Sequence, residues 1–195
     1  MKGSKFTRFF QTNGWERCRF EDTKLEQFSG GHLAAKGCTF AGCSLFGLNS
    51  ATIRMSGCSF DGTTVQGNYW ERPADLLFRK CTIRTRDDAP FLKLGVYTVG
   101  KILFDGCSVA GGRSLVDVGD LRPISIPPNT QNPDELPGGI ALRGTTWEGA
   151  ATTVVAHGAP GGALSPKRIS IVDTDNAWPE GVAVATDLPP TWELK

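Results

Sequence analysis

The sequence is short of several things that usually mark a function. No charge of one sign dominates: 21 Lys and Arg stand against 20 Asp and Glu, a formal net charge of +1, so nothing electrostatic recruits DNA, RNA or an anionic membrane. No stretch approaches the roughly 18 consecutive apolar residues of a membrane-spanning helix. The opening "MKGSKFTRFF" lacks the apolar run of a secretory signal, so no Sec signal is expected. Histidine occurs only at His32 and His157, and no Cys-x-x-Cys is present, so the usual grouping of zinc ligands is missing. No metal or cofactor is expected. "GVYTVGK" over residues 95–101 comes near a phosphate loop, but Ile102 stands where Ser or Thr would hold magnesium, and a repeat strand follows where a helix is required. "DTDNAWPEG" over residues 173–181 begins like a calcium loop and then loses its glycine and its closing glutamate, so it reads as a surface turn. No local nucleophile motif marks a serine–histidine–acid triad.

What is present is a repeat. An apolar-x-apolar-x-x-Cys-x-apolar pattern aligns Leu33, Ala35, Cys38 and Phe40 with Ile53, Met55, Cys58 and Phe60, then with Leu76, Phe78, Cys81 and Ile83, then with Ile102, Phe104, Cys107 and Val109. Trp15, Cys18 and Phe20 form an earlier copy; Ile140, Leu142, Thr145 and Trp147 a later one; Ile169, Ile171 and Thr174 a fainter seventh. The key positions lie 20, 20, 23, 26, 38 and 29 residues apart. Inside each unit the apolar residues alternate in short runs broken by Gly and Asn, which is the period of strands and turns rather than of helices. A strand-turn unit that recurs at variable length with the same inward residues predicts a solenoid whose coils stack at about 4.8 Å and whose strands pair in parallel. Cys18, Cys38, Cys58, Cys81 and Cys107 then form one internal column, with Thr145 and Thr174 continuing it and Cys43 in a second. Side chains in a parallel ladder point the same way, so the six cysteines are expected as buried free thiols.

Residues 18–70 divide further into fives: "CRFED", "TKLEQ", "FSGGH", "LAAKG", "CTFAG", "CSLFG", "LNSAT", "IRMSG", "CSFDG", "TTVQG". This stretch resembles the pentapeptide-repeat family, which implies a four-sided coil of twenty residues with a small residue and a Phe or Leu two places later pointing inward. Gly30, Ser50 and Trp70 depart from that preference. The DNA-mimic role known in that family needs a strongly acidic surface, which this chain lacks. The rest, including "LLFRKCTIRTRDDAPFLKLG" and "KILFDGCSVAGGRSLVDVGD", is similar to the right-handed parallel β-helix superfamily of pectate lyases, polygalacturonases and phage tailspikes. The expected fold is thus all-β: a single right-handed parallel β-helix of about seven coils. Residues 119–139 carry five prolines and read as a long loop, because proline does not serve interior strands. One domain spans residues 1–195, with a cap or first coil at 1–17, regular coils at 18–70, wider coils at 71–178 and a tail at 179–195.

Candidate chemistry falls on outward positions. Glu21 and Asp61 share an outward place two coils apart, with Ala41 between them, and carboxylates one or two coil steps apart suit glycoside hydrolysis; the plainer reading is two turn acids. A second surface holds Lys93 and Asp117, each two residues before a glycine, with Leu92, Leu94, Val116 and Val118 inward, Phe91 and Leu115 outward, and Arg113 and Asp120 beside them. Such a mixed surface suits sugar binding or a subunit interface, or simply a cross-strand ion pair. Asp117 and Asp120, with Glu21 and Asp61, are the acids from which catalysis would have to come. His157 fits either register of "TTVVAHG". Tyr69, Tyr97 and Trp178 adjoin turns and are the aromatics placed to stack on sugar rings.

Two functions compete. The first is a non-enzymatic structural or adhesive module: a phage virion part of tailspike, fibre or capsid-decoration type that binds cell-surface polysaccharide, assembled in the cytoplasm and acting on the virion or outside the cell. The aromatic residues 6–15 and the Pro-rich residues 187–195 would cap its ends or meet neighbouring virion proteins, and the resemblance implies a homotrimer. The second is a polysaccharide hydrolase or lyase of the pectate-lyase-like class.

Overall fold

Glycine ahead of the repeated cysteine has a backbone reason. Gly37, Gly57, Gly106 and Gly144 all have left-handed φ, between 53° and 61°, and each immediately precedes the column residue Cys38, Cys58, Cys107 or Thr145. One left-handed residue turns the strand through a corner, which glycine does without the steric cost that a Cβ carries. Arg17, Lys80 and Asp175 make the same turn at φ of 52°, 50° and 54°. The amide of each corner donates to the coil above: Gly37 N to Ser56 O, Gly57 N to Arg79 O and Lys80 N to Asp105 O, at 2.9, 2.9 and 2.8 Å.

The computed structural model describes residues 1–3, 5–9, 13–29, 32–49, 52–67, 75–94, 101–118, 138–157, 169–185 and 192–195. Among the described residues every regular element is a strand. In chain order they are β1 (Lys5–Phe9), β2 (Asn13–Glu16), β3 (Arg19–Glu21), β4 (Lys24–Ser29), β5 (His32–Lys36), β6 (Thr39–Ala41), β7 (Ser44–Asn49), β8 (Thr52–Ser56), β9 (Ser59–Asp61), β10 (Thr64–Gly67), β11 (Asp75–Arg79) and β12 (Thr82–Thr85). They continue as β13 (Leu92–Leu94), β14 (Lys101–Asp105), β15 (Ser108–Gly111), β16 (Val116–Val118), β17 (Gly138–Arg143), β18 (Thr146–Gly149), β19 (Thr153–His157), β20 (Ile169–Thr174), β21 (Ala183–Ala185) and β22 (Trp192–Leu194). Up to β20, successive strands go to three parallel sheets in turn. Sheet 1 has the order β1-β4-β7-β10-β13-β16-β19-β21, sheet 2 β2-β5-β8-β11-β14-β17-β20-β22, and sheet 3 β3-β6-β9-β12-β15-β18. This is the topology of a β-solenoid, and no described helix is long and apolar enough to cross a membrane.

The register reproduces the repeat residue by residue. Leu33, Ile53, Leu76, Ile102 and Ile140 lie in one line along sheet 2, and Phe40, Phe60, Ile83, Val109 and Trp147 in one line along sheet 3. All ten are buried. Phe20, Phe40 and Phe60 stack face to face at 5.1 Å, and Phe78 and Phe104 at 5.0 Å, close to the spacing of paired strands. Phe91 joins the two stacks edge-on, 4.9 Å from Phe60 and 5.2 Å from Phe78. Each such ring contributes about 1.5–3 kcal/mol by leaving water.

Three expectations are corrected. The coil of residues 18–67 is three-sided, because β4 and β7 run straight past Phe28 and Leu48, which pair in register; these residues stand where the fourth corner of a four-sided coil would need a small one. Thr174 is exposed and pairs with Arg143, so it is outside the internal column. Asn176 takes that place. Phe91 and Leu115 are fully buried: each sits on a bend before its strand, so it faces inward together with the following Leu92 or Val116.

Candidate functional site

Two corners border sheet 3, and they are built differently along the stack. At the corner between sheets 2 and 3, Cys38, Cys58, Cys81 and Cys107 each donate from Sγ to a carbonyl of the coil below, those of Trp15, Ala35, Met55 and Phe78, at 3.5–3.6 Å. Thr145 Oγ1 does the same to Phe104 O at 3.5 Å, and Asn176 Nδ2 to Leu142 O at 2.7 Å, while Asn176 Oδ1 accepts from Thr145 N at 2.6 Å. A small donor is therefore what the place requires. All six cysteines are free. Burial pushes the Cys38 and Cys43 thiols above their ordinary range. Cys81 is pushed up by its hydrogen bonds to Cys107 and Cys58 and then by burial. The raised thiols are poor nucleophiles at neutral pH, whereas the buried Cys58 and Cys107 are lowered by their hydrogen bonds with Cys81, Cys58 to about 7.

At the corner between sheets 3 and 1, Asp22, Gly42 and Gly62 turn left-handed at φ of 48°, 60° and 57° ahead of buried Thr23, Cys43 and Thr63. After Thr63 the pattern stops. Thr85 keeps the inner place, its Oγ1 donating to Arg113 O at 3.0 Å and accepting from Arg113 N at 3.3 Å, but the chain beyond it opens into loops at residues 86–90, 112–115 and 150–152. Gly111 and Gly112 lie so close to Thr85 and Asp87 that a Cβ at either would collide with them. The loops thus pack on one another with no room for a side chain at either glycine.

A cleft of about 370 Å³ opens beside these loops, lined by Gly112, Arg113, Ser114, Ala150, Ala151, Thr152, Thr153 and Ala156. Ser114 is buried, and among the described residues its Oγ has no hydrogen-bond partner; neither has the buried Oδ1 of Asp117. Asp117 pairs in register with Ala156, which lines the cleft, and on its other side with Lys93. Lys93 and Asp117 are strand neighbours, yet they are not among the ion pairs of the described residues. Asp88 is held below the usual carboxylate range by Arg86, which grips it through two bonds of 2.7 Å, with Lys93 adding a smaller pull. An unpaired buried acceptor and an unpaired buried hydroxyl each cost stability. Ser114, the exposed Arg113, Thr152 and Thr153 supply hydrogen-bonding groups to a cleft otherwise walled by Gly and Ala.

The carboxylates Glu21 and Asp61 line a separate hollow of about 510 Å³ with Lys2, Asp22, Ala41, Gly42, Gly62 and Arg86. Glu21, Ala41 and Asp61 lie in register, so the two acids stand two coil steps apart. Arg19 Nε donates to Glu21 Oε1 at 2.6 Å and, through this bond and its charge, holds the carboxyl below its ordinary range. Arg84 Nε lies 3.9 Å from Asp61 Oδ1. Trp178 is half-buried against the core, and its indole N–H donates to both Asp173 oxygens at 3.0 and 3.1 Å. Tyr69, Tyr97, Asp120 and residues 119–137 of the Pro-rich stretch lie outside the described residues, as does the side chain of His157. Among the described residues, no group of three His, Cys, Asp or Glu is placed to hold a metal ion.

Lys93, Arg113 and Asp117 are thus brought to one region, and Glu21 with Asp61 to another. Ser114, Thr152 and Thr153 were not singled out in the sequence. The only signal they carry is the Gly- and Ala-rich "AGGRS" and "EGAATT", which follow equivalent strands β15 and β18 where the earlier coils have a compact corner. No family model, curated protein or solved structure matches this chain.

Proposed function

We propose that this chain is a right-handed parallel β-helix module of structural or adhesive kind, and that it binds a polysaccharide at the cleft beside Arg113 and Ser114. The observation that carries the binding reading is the Oγ of Ser114, a residue lining the cleft, which is left unpaired among the described residues. A sugar offers hydroxyls that both donate and accept, so it supplies what this hydroxyl lacks. A cleft of about 370 Å³ falls in the range of small-ligand sites and takes one or two sugar units of a longer chain. Arg113 adds a charged donor that favours an acidic sugar. The virion setting rests on the resemblance to phage tailspikes.

The low carboxyl of Glu21 speaks against this residue as the proton donor of a hydrolase. A glycosidase acid must keep its proton near neutral pH, and the arginine beside Glu21 does the opposite. The test is to titrate the chain against capsular and pectic oligosaccharides, acidic and neutral, by calorimetry, and to assay the same mixtures for new reducing ends. The expected result is binding of an acidic oligosaccharide without cleavage, weakened about tenfold or more by Ser114→Ala or Arg113→Ala. Binding indifferent to both substitutions, or cleavage, would overturn the reading.

A further inference from the structure

We infer that the outer face of sheet 2 is a self-complementary interface that pairs two copies of this chain about a two-fold axis parallel to the solenoid axis. The centre of that face is apolar over four consecutive strands: Leu77, Leu103, Ala141 and Val172 are outward residues in register with one another. Arg54 and Ala34 hold the same line in the coils before them. Leu77 and Leu103 are half-buried, and Val172 is 36% exposed.

The rim on either side of the leucines specifies the occupant. Each of the two leucine strands carries opposite charges at its ends: β11 begins with Asp75 and ends with Arg79, whereas β14 begins with Lys101 and ends with Asp105. Asp75 pairs in register with Lys101, and Arg79 with Asp105, so the four charges form a checkerboard around Leu77 and Leu103. A two-fold axis along the apolar line lays each strand over the same strand of the second copy in the reverse direction. It sets leucine on leucine, Asp75 against Arg79 and Lys101 against Asp105. Within the contact made by β11, β14, β17 and β20 no row opposes like charges: β17 sets Gly139 against Arg143, and β20 sets Ser170 against Thr174; β8 lies outside it, because its central Arg54 would meet its own copy. A surface complementary to itself is the mark of an isologous two-fold contact, and opposed charges fix its register. Three copies around a three-fold axis cannot place this one face on itself, so the inference replaces the trimer implied by resemblance. It stands apart from the cleft at Ser114 and does not depend on sugar binding.

The test is sedimentation over a concentration series, with native mass spectrometry of mixtures. The wild-type chain is expected to be a dimer. Asp75→Arg and Arg79→Asp each place like charges across the axis and are expected to give monomers, with far-UV circular dichroism unchanged. Mixing the two variants restores opposite charges at both positions, and the dimer returns as a heterodimer. Leu103→Glu is expected to dissociate the pair as well. A monomeric or trimeric wild-type chain, a dimer indifferent to all three substitutions, or charge variants that stay monomeric when mixed would each overturn the inference.

Discussion

The two corners of sheet 3 follow the same rule for the first three coils and then part. Between sheets 2 and 3, a left-handed residue and a small inward donor recur from Arg17 and Cys18 to Asp175 and Asn176. Between sheets 3 and 1, the same device ends at Gly62 and Thr63, and loops replace it. The difference teaches where a solenoid can change. One corner kept constant holds every strand in register, which leaves the other free to lengthen and to carry unpaired polar groups. The cleft with Ser114 lies on the variable corner, and the thiol column lies on the constant one.

The sharpest way to break this comparison is to ask whether the opened corner is packed as well as the regular one. Phe91 lies on its loop and Phe40 on the regular stack, and both are fully buried. Replacing either with alanine is expected to cost about 3–5 kcal/mol in urea unfolding. A cost at Phe91 below about 1 kcal/mol would show the opened corner to be loose. Next in size is the constant corner's backbone. Gly57 has φ of 58° and nothing within 4 Å of a built Cβ, so Gly57→Val tests conformation alone and is expected to cost about 2 kcal/mol. Lys80→Gly, at φ of 50°, is expected to stabilise by about 1 kcal/mol for the same reason.

The thiols supply a pH test of both corners. Cys38 and Cys43 have folded-state values raised above those of an unfolded thiol, about 8.5, with burial the main cause at both. The unfolded chain loses these protons first, so the contribution is whole below about pH 8.5 and is lost as pH rises toward the folded-state values. The urea midpoint is expected to fall between about pH 8 and pH 10, and Cys43→Thr, which copies Thr23 and Thr63, is expected to reduce the slope. The smallest effect belongs to the cleft. Ser114→Ala removes an unpaired buried hydroxyl and is expected to leave stability unchanged or raise it by up to about 1 kcal/mol while weakening sugar binding. A loss of stability there would mean that Ser114 serves the fold instead.

Much of the constant corner was legible in the sequence. Glycine before cysteine, and an apolar residue two places after it, mark a left-handed turn and an inward side chain, and the register follows that alignment from Cys38 to Trp147. The last copy slipped by two residues because the place selects a hydrogen-bond donor, and Asn176 reaches Leu142 O where the apolar pattern pointed to Thr174. The opened corner was less legible. Alternation assumes an extended chain, whereas a bend at Phe91 and Leu115 turns two successive residues inward. The cleft itself left little trace, since an unpaired Ser114 differs from a paired one only through what surrounds it in space. On sheet 2 the charges at Asp75, Arg79, Lys101 and Asp105 were visible as letters, but their checkerboard exists only once β11 and β14 are in register.

The most direct test of the stacked corner is a nuclear magnetic resonance measurement of couplings across hydrogen bonds from the amides of Gly37 and Gly57. The account predicts transfer from Gly37 N–H to Ser56 C=O and from Gly57 N–H to Arg79 C=O. Close contacts between the rings of Phe40 and Phe60 should accompany it. Close Hα–Hα contacts of antiparallel pairs at these residues, with no such transfer, would contradict it.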